Sequence, residues 1–400
     1  YSKVTRPRTL PLFTEFQSKE GPLKVWTTFS EDQADVNFAS PDVLLAFIEI
    51  ALFYVKKGSR IIGLDAVGFA WKEEGTTCMH LEQTHEIVKI LRLVLDACAP
   101  GIGLITETNV PHADNVSYFG QGDEATLVYQ FVLPPLVLHS FHAQCAAKLT
   151  EWAAALEPAP KGCTYYNFLG SHDGIGLRPL EGILDDEATN TLVGACLAGG
   201  GFVNYRSLPD GSQKPYELNA TYLDVLTHPE DPGPVRAASM IAAHAIITAL
   251  QGVPGIYIHA LLASSNWRQG VLDSGINRRV NRGKLDVEQL EAELAKGGLR
   301  SQVLDGLCHL LATRQKHAAF SPTAPQRVLK LDSRLFGLLR GEEPSAVAAV
   351  TNVSHQPVDC ILPFAGRDLL SGRNIPQKYT IQPLETIWVG SVIRSNYENG

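Results

Sequence analysis

Apolar positions recur at helical spacing through VLLAFIEIALFYVKK, where Ser40 and Pro41 offer an N-cap and a first helical residue and Gly58 a stop. An apolar run, RIIGL, follows directly and reads as a buried strand. The alternation continues with a helix over residues 84–98 (THEIVKILRLVLDAC), a strand GLITE, a strand around LVYQF, a long helix from about 136 to 156 and a strand TYYNFLG. Residues 177–233 are less regular, and the pattern resumes with a helix over 234–251, a strand GIYIHAL and helices between 286 and 317. Strands alternating with amphipathic helices predict βα units around a parallel sheet. From about residue 325 the period drops to two, in RVLKL, LFGLLR, AVAAVTNV and TIQPLETIWVG, which predicts a separate antiparallel β-sandwich.

Composition narrows the class of ligand. Of 400 residues, 45% are hydrophobic and 19% charged, as expected of a folded chain with a large core. The net charge of -8 and the lack of Lys/Arg blocks exclude a nucleic-acid partner, which would need clustered cations for its phosphates. The seven scattered cysteines are odd in number and read as reduced core thiols, which points to the cytoplasm. The uncharged run Ala237–Trp267 is split by GVPG at 252–255, so a membrane span is not expected, and neither is a signal peptide. The first residue is Tyr1 rather than methionine, so the chain reads as cut from a longer one. Cys78 and His80 stand too close together to form a metal site, and no phosphate-binding or dinucleotide-binding glycine motif is found, so neither a metal nor an organic cofactor is expected.

Three acidic residues fall just past strands: Asp65 after RIIGL, Glu107 after GLIT and Asp173 after TYYNF, in LGSHDG. In a parallel α/β barrel the C-terminal strand ends open on one mouth, where the three carboxyls would converge. Converging carboxylates suit glycosidic chemistry. One attacks the anomeric carbon, and a second, protonated, serves the leaving oxygen from about 5 to 5.5 Å away in a retaining pair. Taken singly, each acid reads better as a helix cap or loop tie; three at barrel spacing reverse that preference.

The stretches LDAVGFAWKE, LITETN and LGSHDG resemble, in order and spacing, the three carboxylate motifs of the α-amylase family. VTRPRTLPLFT, VWTTFS, TETNVPHADNVSYFG, YQFVLPPLVLH, SHDGIG, PYELNATY and GVPGIYIHALLAS extend the resemblance over nearly the whole chain. They point to the sucrose phosphorylase branch of the family and, within it, to glucosylglycerate phosphorylases. The resemblance implies a (β/α)8 barrel lacking its first strands: residues 1–28 as the remnant of an inserted loop domain, 29–318 as strands 4 to 8 of the barrel, and 319–400 as the C-terminal β-sandwich. It implies Asp65 as nucleophile, Glu107 as general acid/base and Asp173 as transition-state stabiliser. His172, Arg282 in VNRGKL and Asn109 would contact the glucosyl unit, and Arg8 and Tyr216 would hold inorganic phosphate. Lys214 and Glu217 flank Tyr216 where the acceptor is chosen, and Lys214 would meet a glycerate carboxylate.

The expected reaction is phosphorolysis of an α-glucoside, glucosylglycerate first, to α-glucose 1-phosphate by double displacement. Sucrose, sucrose 6-phosphate and glucosylglycerol are the alternative donors. One departure opposes it. The family ordinarily carries an arginine two residues before the nucleophile, where this chain has Gly63. Loss of that cation should raise the carboxylate's pKa and loosen its rotamer. A catalytically impaired, sugar-binding relative is therefore the alternative from another class.

Overall fold

The computed structural model describes residues 1–7, 10–207 and 212–391, and its chain divides into two compact units. The first comprises residues 1–129, 159–163 and 205–214; the second comprises the remainder.

The first unit opens with an antiparallel hairpin, β1 (Phe13–Ser18) and β2 (Gly21–Trp26). Helix α1 (Pro41–Lys56) then leads to strand β3 (Ile61–Leu64). Pro41 starts α1 as expected, but the Ser40 side chain makes no capping hydrogen bond. Helix α2 (Glu82–Cys98) buries Thr84, Ile87, Val88, Leu91 and Leu95 at three- and four-residue spacing, as a single apolar stripe requires. It delivers the chain to β4 (Gly103–Thr106), and the short α3 (His112–Val116) precedes β5 (Leu127–Tyr129). Strands β3, β4 and β5 pair in parallel, with Gly63 opposite Ile105 and Ile105 opposite Leu127.

In the second unit the helix predicted over 136–156 is two helices, α4 (Leu133–His142) and α5 (Ala147–Ala155). Gln144, at φ 49°, turns the chain between them. Strand β6 (Thr164–Phe168) runs into the two-residue β7 (Ile175–Gly176). The stretch read as irregular contains α6 (Asp186–Ala198), β8 (Phe202–Ser207), whose residues from Tyr205 onward fall in the first unit, β9 (Gln213–Asn219), whose residues up to Lys214 do, and α7 (Tyr222–Leu226). Helix α8 (Gly233–Ala249) precedes β10 (Val253–Gly255), which pairs in parallel with β6. The expected strand GIYIHAL is thus displaced: extended pairing ends at Gly255, and Ile258–Leu261 form a helical turn, α9. Helices α10 (Arg268–Ser274), α11 (Val287–Ala295) and α12 (Leu299–Lys316) complete the helical part.

The period-two segments form antiparallel strands as predicted. β11 (Gln326–Val328), β12 (Leu335–Arg340), β13 (Val347–Asn352) and β18 (Thr386–Ser391) pair in that order, with β15 (Gly366–Asp368) and β16 (Asn374–Ile375) continuing the sheet. β14 (Val358–Ile361) and β17 (Lys378–Ile381) make a second, two-stranded sheet. One hydrophobic core joins the helices to this region: Leu136, Met240 and Leu307 share it with Phe336, Val347 and Trp388. A smaller core, including Val350, Val358, Ile381 and Ile387, lies within the C-terminal strands. Among the described residues, no helix is long and apolar enough to cross a membrane.

Candidate active site

In the first unit the parallel register of β3 and β4 sets two acids side by side. Leu64 pairs with Thr106, and the Glu107 amide donates to the Leu64 carbonyl at 3.0 Å, so Asp65 and Glu107 leave adjacent strands at one level. Asp65 is exposed, and Ala66 after it takes a left-handed backbone at φ 46°. That turn aims the Ala66 amide at Glu107 Oε2, 3.1 Å away. The acid is therefore tethered to the backbone of the residue next to the candidate nucleophile. Among the described residues of this unit, Asp65 itself carries no hydrogen bond or ion pair. Gly63 is exposed, and a Cβ there would meet only Ile105 Cγ2, at 3.8 Å.

The loop after Asp65 rests on buried aromatic and polar groups. The Gly68 carbonyl accepts from the His80 amide, and a Cβ at Gly68 would come within 2.9 Å of the His80 ring, so this close approach requires glycine. His80 Nδ1 lies 2.8 Å from the Tyr118 hydroxyl, whose pKa is raised by burial and then by the charge of Glu124. His85 stacks on Tyr118 and pairs with Glu124 at 2.8 Å. Beyond Glu107, Thr108 donates to Asn115 Oδ1, and Asn115 Nδ2 donates to the Tyr129 carbonyl. This fixes the turn bearing the half-buried Asn109.

In the second unit Asp173 stands between β6 and β7 and is ringed by cations. Arg278 Nη1 and Arg282 Nη2 both donate to its Oδ1, at 2.7 and 2.9 Å, and His172 Nε2 lies 3.7 Å from the same atom. Arg282 Nε also donates to the His172 carbonyl, and Asn281 Nδ2 donates to the carbonyls of Ser171 and Asp173. His172 points its imidazole to solvent, 72% exposed. Glu217 faces inward from β9, only 2% exposed, and accepts Arg278 Nη2 at 2.6 Å, Arg278 Nε at 3.2 Å and Asn204 Nδ2 at 3.0 Å. Burial opposes the charge of Arg278, but the hydrogen bonds and charge of Glu217, followed by the charge of Asp173, outweigh it and raise the guanidinium's pKa. Tyr257, whose pKa is raised chiefly by burial, donates to the Asn281 carbonyl.

Comparison with known proteins places this geometry. No family model matches the chain. It is 47% identical, over 97% of its length and 70% of the relative's, to a glucosylglycerate phosphorylase of Allomeiothermus silvanus. It is 44% identical, over the same shares, to a glucosylglycerate phosphorylase of Escherichia coli. The chain belongs to the sucrose phosphorylase-like branch of the α-amylase family. A crystal structure of sucrose 6F-phosphate phosphorylase from Thermoanaerobacter thermosaccharolyticum superposes over 95% of this chain and 73% of that one, with a TM-score of 0.76 and 23% identity. The expected fold class, a (β/α)8-type barrel with an antiparallel C-terminal domain, is therefore the fold of this family member.

Within this α-amylase-family chain the residues named from sequence fall into three groups. Asp65, Glu107 and Asn109 stand together on the ends of β3 and β4; Asp173, His172, Arg282 and Glu217 form a second cluster. Tyr216 and Lys214 are half-buried on β9 beside Glu217. Arg8, the expected phosphate ligand, lies outside the described residues. Glu217, expected to border the acceptor, instead has its carboxylate turned in to Arg278 and Asn204. Arg278 was missed from sequence: in GINRRVNRGK only the last arginine sits in a family motif, and nothing in the pattern distinguishes Arg278 from Arg279.

Proposed function

We propose that this chain is a retaining glucosyl phosphorylase that cleaves glucosylglycerate with inorganic phosphate into α-glucose 1-phosphate and glycerate. What supports the reading above all is the kinship with glucosylglycerate phosphorylases along nearly the entire chain, together with an acid in each of the three segments that resemble the family's carboxylate motifs. The Asp65 carboxylate attacks the anomeric carbon, the bond to the glycerate oxygen breaks, and Glu107 protonates that oxygen as it leaves. A phosphate oxygen then attacks the same carbon, the bond to Asp65 breaks, and Glu107 takes up the phosphate's proton. Asp173 faces the positive charge that develops on the glucosyl ring in both steps. Held by Arg278 and Arg282 through Oδ1, it keeps Oδ2 free for a ligand among the described residues of its unit. Tyr216 and Arg8 bind phosphate, and Lys214 meets the acceptor's carboxylate. The protein acts in the cytoplasm on small molecules and needs no metal or organic cofactor.

A second reading, an impaired sugar-binding relative, is favoured by the absence of a cation on Asp65 among the described residues of its unit, while two arginines serve Asp173. One assay separates the readings: release of glucose 1-phosphate by the full-length protein from glucosylglycerate, sucrose, sucrose 6-phosphate and glucosylglycerol, with and without phosphate. Phosphate-dependent release from glucosylglycerate is the expected result. Release from another glucoside would reassign the acceptor, and silence on all of them, with retained sugar binding, would establish the impaired relative.

A further inference from the structure

Resting on that reading, we propose that Glu217 and Arg278 are positioning residues that act as one unit to orient the Asp173 carboxylate. Asp173 lies two residues before β7, and β7 pairs antiparallel with β9, with Gly176 opposite Glu217 and Ile175 opposite Leu218. The backbone ladder thus brings Glu217 beneath the turn that carries Asp173. Gly174 makes the approach possible: a Cβ there would stand 2.4 Å from Glu217 Cγ and 2.8 Å from the Leu218 carbonyl oxygen. The Glu217 side chain therefore fills the space that any other residue at 174 would occupy.

Arg278 spans the two acids. Its Nη2 and Nε grip both oxygens of Glu217, leaving Nη1 directed at Asp173 Oδ1. A guanidinium is planar, so fixing two of its nitrogens fixes the direction of the third. Asn204 completes the lock by donating to Glu217 Oε2 while its own Oδ1 accepts from Asn277, one residue before Arg278. Arg282, by contrast, is exposed and is steadied by the His172 carbonyl rather than by a second carboxylate, so no buried acid locks it. Glu217 also balances charge: without it, two arginines would face the single charge of Asp173, and Arg278 would be half-buried with one partner fewer.

The test compares Glu217→Gln, Arg278→Lys and the double variant with the wild type. It measures kcat and KM for phosphorolysis and fluoride release from α-glucosyl fluoride, which needs neither phosphate nor a natural acceptor. Thermal melting monitors folding. We expect each single variant to lose about 30-fold in kcat with KM changed less than about threefold, because transition-state charge is what Asp173 meets. The double variant should be no slower than the slower single one, as for residues acting through one contact. Gly174→Ala, whose Cβ collides with the Glu217 side chain and the Leu218 carbonyl oxygen, should lose kcat in the same way. Multiplying losses in the double variant, or unchanged kcat with a lowered melting temperature, would overturn the proposal and leave Glu217 a structural anchor. If the wild type releases neither fluoride nor glucose 1-phosphate, the phosphorylase reading fails and crystal structures decide the positioning claim. Asp173 Oδ1 remaining on Arg278 in Glu217→Gln would refute it, and a rotated Asp173 carboxylate would uphold it.

Discussion

At the scale of single residues, the departure at Gly63 has a definite physical content. Its Cβ position is open, with Ile105 Cγ2 at 3.8 Å, so a side chain can be accommodated there without moving the backbone of β3. Gly63→Arg places a cation two residues from Asp65, on the same face of the strand, since side chains alternate with a period of two. A cation there pairs with the carboxylate and holds it in one rotamer for attack, and about 1.4 kcal/mol of barrier lowering is a factor of ten in rate. We therefore expect roughly a tenfold rise in the glucosylation rate, read as fluoride release from α-glucosyl fluoride; an unchanged rate would mean that Asp65 is oriented without this cation. The three carboxylates were legible in the sequence because Asp65 and Glu107 directly follow strands, Asp173 lies in the loop after one, and each sits in a segment that resembles a family motif. The inward turn of Glu217 and the role of Arg278 were not, since both depend on the pairing of β7 with β9, which joins residues about 40 positions apart.

At the scale of elements, helix α8 carries a titration that its sequence conceals. ASMIAAHAIITA reads as an apolar helix, and its histidine is buried at 1% exposure against Tyr222. His244 Nδ1 bonds the Met240 carbonyl one turn back, yet burial lowers its pKa to about 4. An unfolded histidine titrates near 6.5, so between these values the unfolded chain binds the extra proton and stability rises with pH. The contribution is complete above about pH 6.5 and falls away toward pH 4, by about 3 kcal/mol in total. Urea unfolding at pH 7 and pH 4.5 should show His244→Gln losing less stability on acidification than the wild type; parallel losses would show that other groups govern the acid limb. The same scale explains two misread elements. Helical periodicity runs unbroken from 136 to 156, but the left-handed Gln144 divides it, and apolar GIYIHAL fits a strand as well as the turn it forms.

At the scale of the whole chain, the period-two segment at the C-terminus does form antiparallel sheets, but within the second unit it shares a core with α4, α8 and α12. Two buried arginines fasten that junction. Arg314 donates to the Thr248 and Gly252 carbonyls, and Arg340, on β12, donates to those of Ala249 and Ser321. Both guanidinium groups lie over the ring of Phe320 at 5.9 Å, and the end of α8 offers them the negative pole of its dipole. Burial, followed by the charge of Arg314, lowers the pKa of Arg340 to about 9. Arg340→Met leaves these carbonyls unpaired and should cost about 3 kcal/mol in urea unfolding. It should lower the stability of helices and C-terminal strands together, as one transition within this unit; separate transitions would contradict the shared core.

The sequence by itself determined the kinds of element, their order and the acids at the strand ends, because periodicity and strand-terminal position are local properties of a chain. It also determined the family, through motifs whose residues stand side by side. Only the tertiary structure decided that Arg278 joins Arg282 on Asp173, that Glu217 serves Arg278, and that the C-terminal strands share the helices' core. Each of those depends on strand pairing or packing between distant segments, and a guanidinium's partners are set by where the fold places its stem rather than by its neighbours in sequence.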